Sequence, residues 1–189
     1  MVTWIVIGVI VVVLLFLVVG AYNRLVALDQ AADQSFADID VQLRQRQDLI
    51  PNLVEAVKGY AGHERGTLEA VTQARAAAQG AGSVNEKVQA ENMLTAALGR
   101  LFAVAEAYPD LKASTNFLQL QNELSDIENK LAAARRFFNS AVAEFNAVRR
   151  QFPTVLFAGL VGFASDKPFF DLGEADRAAM NAAPPQVKF

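Results

Sequence analysis

Residues 2–21 carry no charged side chain. A helix rises about 1.5 Å per residue, so such a run spans about 30 Å, the hydrocarbon thickness of a bilayer. Trp4 and Tyr22 stand near its two ends, where interfacial aromatics belong. A cleaved secretion signal is the competing reading. The run is too long for one, lacks a basic start, and offers only Val19-Gly20-Ala21 as a cleavage site. A core helix is the third option, and it would need a much larger protein to cover it on every side. The expectation is therefore a retained, single-pass anchor. Arg24, Arg44 and Arg46 follow it, mixed with Asp29, Asp33, Asp38 and Asp40. Basic residues near a membrane favour the cytoplasmic side and acids count little, so the soluble region is expected in the cytoplasm, with an extracytoplasmic location as the alternative.

Composition narrows the chemistry. The 189 residues include no cysteine and one histidine, with a net charge of −3. Disulfides, thiol nucleophiles and Cys-ligated metals are excluded, and the charge gives no footprint for nucleic acid. His63-Glu64 could be drawn as an acid–base or metal pair, but a metal needs several converging ligands and this reads better as a polar turn. No Glu-x-x-His occurs, which sets aside carboxylate-bridged di-iron bundles. The expectation is a protein with no catalytic residue, no metal and no cofactor.

Beyond the anchor the pattern is helical. Leu25, Leu28, Ala32, Phe36, Ile39, Leu43, Ile50, Leu53 and Val57 fall at three-four spacing. Arg46 occupies an apolar position of that stripe and predicts either a snorkelling side chain or a carboxylate partner, at Asp48 or on another helix. Pro51 predicts a kink or a restart, since it has no N–H and crowds residue 47. A second helix is expected at 64–79, rich in alanine, with its small residues serving close packing or a partner surface. Ser83-Val84-Asn85-Glu86 has the form of a capping box opening a third helix, which Tyr108-Pro109 ends. The fourth carries Phe117, Leu120, Leu124, Ile127, Leu131, Ala134, Phe138, Val142 and Phe145 on one face, and Phe152-Pro153 stops it. The fold class expected is all-α: a transmembrane anchor (1–22), an antiparallel up-and-down four-helix bundle (23–152) and an irregular, apolar and Pro-containing tail (153–189).

In several places the chain resembles the LemA family. The strings are Tyr22-Asn23 after the anchor, Asp40-Val41-Gln42-Leu43-Arg44, and Asp48-Leu49-Ile50-Pro51-Asn52-Leu53-Val54. They continue with Gly59-Tyr60-Ala61 before His63-Glu64, Tyr108-Pro109-Asp110-Leu111-Lys112-Ala113, and Phe117-Leu118-Gln119-Leu120-Gln121. Arg135-Arg136-Phe137-Phe138-Asn139, Phe145-Asn146 and Phe152-Pro153 complete the order. The resemblance implies a four-helix bundle behind one membrane helix, with relatives among magnetosome-membrane proteins and suggested links to membrane proteolysis. It supplies no catalytic residues.

Two functional readings follow: a membrane-anchored scaffold or adaptor acting through protein–protein contacts, self-assembly included, and a regulatory subunit of a membrane enzyme such as a protease or transporter. The partners expected are membrane lipid through the anchor, other membrane proteins, and further copies of the chain. Two tail segments are candidate contact sites. Leu156, Phe157, Leu160, Val161 and Phe163 lie in an apolar run too short to cross a bilayer. Summed helix rises of about 1.5 Å per residue bring the end of the fourth helix back to roughly 10–15 Å from the membrane, so this run is expected to touch lipid or another subunit. Val187 and Phe189 give the C-terminus an apolar-x-apolar-carboxylate form that a peptide-binding domain could take, or that packs as a plug.

Overall fold

The computed structural model describes residues 1–170, and among these the regular structure is helical, with no strand. The helices are α1 (Val2–Lys58), α2 (Arg65–Gly80), α3 (Val84–Glu106), α4 (Pro109–Lys112) and α5 (Thr115–Arg150), followed by one 3-10 turn at Thr154–Leu156. The chain divides into two compact units, one formed by Met1–Leu43 with Glu128–Phe169, the other by Arg44–Ile127.

In the second unit, four helices share one core. Ile50, Leu53 and Val57 of α1 meet Leu68, Val71 and Ala74 of α2, Leu94, Leu98 and Leu101 of α3, and Phe117, Leu120 and Leu124 of α5. Short turns between successive helices make neighbours antiparallel. The turn before α3 is closed by the anticipated capping box. Ser83 Oγ accepts from the Glu86 N–H at 3.2 Å, and the Glu86 carboxylate accepts from the N–H groups of Ser83 and Gly82 at 2.9 and 3.0 Å. These backbone bonds, Ser83's first and then Gly82's, hold the Glu86 carboxyl below its usual range. The sequence reading missed α4, a single turn with Pro109 at its first position and Leu111 in the core.

Pro51 does not restart the helix: α1 runs through it to Lys58. The proline leaves the Gln47 carbonyl without its helical donor. The Nε–H of Arg75, on α2, donates to that carbonyl at 2.7 Å. Arg46, one residue earlier, finds its carboxylate on another helix, as one of the two sequence alternatives had it. Its guanidinium lies buried against Glu91 of α3 at 2.5 Å and donates to Thr95 Oγ1 at 3.0 Å.

In the first unit, α1 and α5 pack with a seven-residue repeat on each side. Leu25, Ala32 and Ile39 are buried on one helix; Leu131, Phe138 and Phe145 are buried on the other. Phe36 stands 5.5 Å from Phe138, ring centre to ring centre. The N-terminal part of α1 is long and apolar enough to cross a membrane, and none of that stretch is buried by the protein.

Candidate functional site

The apolar tail segment folds onto the turn of α1 that follows its apolar N-terminal stretch. After Arg150 the chain turns back through Val155 N–H to Gln151 O at 2.8 Å and Ala158 N–H to Thr154 O at 2.9 Å. Thr154 and Ala158 are buried by this turn, and Ala158 joins a cluster with Leu25, Phe145 and Val148. Gly162 takes a positive φ of 99°, which delivers Phe163 edge-on to Phe145 at 5.8 Å.

The candidate residues therefore divide by face. Phe163 packs inward and Phe157 is half-buried. Leu156, Leu160 and Val161 point outward, the first two at 69% and 87% exposure. Val155, the first residue of the apolar run, and Phe152, just before it, are exposed beside the five candidates. Val187 and Phe189 lie outside the described residues.

Two charged residues at the end of the segment fasten it, and these were missed. Asp166 receives the guanidinium groups of both Arg149 and Arg150 on α5. Lys167 reaches α1, with Nζ 2.9 Å from Asp29 and 2.5 Å from Asp33, and lies over the Phe145 ring. Its backbone is held as well: Asn146 Oδ1 accepts from Lys167 N–H at 2.9 Å and Asn146 Nδ2 donates to Lys167 O at 3.0 Å. Partial burial pulls the Lys167 pKa down, but the hydrogen bonds to Asp33 and Asp29 outweigh it and the net shift is upward. A pair of adjacent opposite charges after an uncharged run was the available signal.

Hydrogen bonds from Arg150 and then Arg149 hold the Asp166 carboxyl below its usual range. A carboxyl whose folded pKa is depressed contributes stability that is complete above its unfolded value, about 3.9, and is lost as pH falls through the folded pKa. Asp166→Asn should therefore loosen the tail at neutral pH, seen as faster amide exchange in residues 155–165. The difference from wild type should close below about pH 4.

A second surface lies between α2 and α3. Ala70, Ala74, Ala96 and Ala97 line an open groove of about 300 Å³, with Met93, Gln73 and Arg100 at its edge. Met93 also lines the adjoining hollow formed with Ala77, Gly80, Ala81 and Ala90. Elsewhere, His63 sits exposed in the turn after α1. Among the described residues, no group of three or more His, Asp or Glu is placed to hold a metal.

The model of the LemA family matches residues 35–189. Among curated proteins, the chain is similar to magnetosome protein MamQ of Magnetospirillum gryphiswaldense, 23% identical over 82% of this chain and 66% of that protein. It is also similar to protein LemA of Metamycoplasma hominis, 27% identical over 70% of this chain and 61% of that protein. Magnetosome protein MamQ 2 of Paramagnetospirillum magneticum is 24% identical over 75% of this chain and 62% of its own length. The chain thus spans just under two thirds of the curated relatives it matches.

Proposed function

Since the chain belongs to the LemA family, we propose that it is a single-pass membrane-anchored scaffold or adaptor that acts through protein–protein contacts, without catalysis of its own. The soluble region is placed on the cytoplasmic side, because Arg24 lies directly after the span and basic residues at that boundary favour it. The observation that carries the adaptor reading is the α2–α3 groove. Its floor is made of methyl groups, which let another backbone approach closely. Met93, 60% exposed, gives it a flexible and polarisable lip. Gln73 and Arg100 supply polar groups at the rim. This is the composition of a groove that accepts a helix.

A photo-crosslinking amino acid at Met93, in the full chain in native membranes, tests the reading. Expected is capture of a discrete partner, a membrane protein or a second copy, that Ala96→Trp abolishes by filling the groove. Equal, unselective yields at Met93 and at the exposed Asn129 would sink it. A captured protease or transporter whose turnover changes with Ala96→Trp would favour the regulatory-subunit reading instead.

A further inference from the structure

We propose that the outward face of the tail segment, formed by Phe152, Val155, Leu156, Leu160 and Val161, is a lipid-docking collar that inserts into the interfacial layer of the bilayer crossed by α1. The proposal rests on the anchored reading above. Its position follows from one packing contact. Ala158 packs with Leu25, which is four residues past Ala21, the end of the apolar stretch, and directly after the first charge at Arg24. Four helical residues rise about 6 Å. The collar residues flank Ala158 within six positions and point away from the protein, so they emerge at the level where the span meets water.

Composition fits that level. Residues 151–165 contain no charged side chain; Arg149 and Arg150 precede them and Asp166 and Lys167 follow. Five large apolar side chains exposed within ten residues form a patch that a soluble surface rarely leaves open. Clustered large apolar side chains at a bilayer boundary bury themselves in the headgroup and acyl region. The anchor holds the collar at high effective concentration beside that layer, so modest intrinsic affinity suffices. The occupant is therefore lipid, not a soluble partner.

The chain has no cysteine, so single spin labels can be placed without removing any. The full chain would carry Ile10→Cys, Asn129→Cys or Leu160→Cys, one at a time, in phosphatidylcholine–phosphatidylglycerol vesicles. Each label's collision with oxygen, which favours lipid, is compared with its collision with an aqueous nickel chelate. At Leu160 the oxygen-to-nickel ratio should be several-fold above that at Asn129, and adding Leu156→Asp should lower it towards the Asn129 value. A low ratio at Ile10 overturns the anchored reading itself. A high ratio at Ile10 with Leu160 equal to Asn129 overturns the collar alone. Insensitivity to Leu156→Asp also overturns it, since proximity would then come from the tether. So does spin–spin broadening at Leu160 with shielding from both reagents, which would mean that a second copy covers the patch.

Discussion

Glu91→Ala should destabilise the protein by about 3–5 kcal/mol, the usual cost of orphaning one member of a buried ion pair. The Arg46 and Glu91 side chains are 2% and 1% exposed and meet at 2.5 Å. Removing the carboxylate leaves an enclosed guanidinium without the charge that balances it, although Thr95 Oγ1 still accepts from it. Hydration cannot compensate in so closed a place. Replacing both partners should behave differently. Arg46→Met with Glu91→Leu removes two desolvated charges together and should fall within about 1 kcal/mol of wild type, or above it. Chemical denaturation of the full chain in mild detergent measures all three proteins. A Glu91→Ala cost below about 1 kcal/mol would mean that water reaches the pair and that the burial argument fails.

Leu131→Ala should cost about 2–5 kcal/mol, through lost transfer energy and the cavity left behind. Leu131 is fully buried at the middle of a row, seven residues from Leu124 and seven from Phe138. Both neighbours stay on rigid helical backbone, so the site cannot collapse easily around an alanine. Asn129, two residues away, is exposed, and Asn129→Ala should stay within about 0.5 kcal/mol of wild type. Equal shifts in the two midpoints would undo the assignment of the inner face of α5.

What could be read in advance was what depends on near neighbours in the chain. The capping box is complete within Ser83–Glu86, and the helical stripes need nothing beyond the repeat of a single helix. The partner of Arg46 was out of reach because Glu91 lies 45 residues away, and nothing local distinguishes it from other glutamates. Pro51 was visible as a defect. Its remedy was not, since Arg75 is 28 residues from the carbonyl it serves. The one turn of α4 is too short to show a period. In the tail, turns replace any regular repeat, so nothing in 155–163 foretold that Phe163 faces inward while Leu160 faces out. Three-dimensional placement was needed to sort that apolar run into two faces.

The fastening of Asp166 and Lys167 has a consequence for fidelity. The two residues are adjacent and opposite in sign, and they face targets of opposite sign: arginines on α5 for one, aspartates on α1 for the other. A slip of the tail by one residue sets either Lys167 against the arginines with Pro168 opposite the aspartates, or Asp166 against the aspartates with Ser165 opposite the arginines. Either misalignment therefore loses both attractions and adds a repulsion at one point, where a single ion pair would only lose its attraction once. The couple acts as a two-letter key, and insertions or deletions in the loop between Arg150 and Asp166 should be tolerated only where the slack leaves both letters facing their own locks.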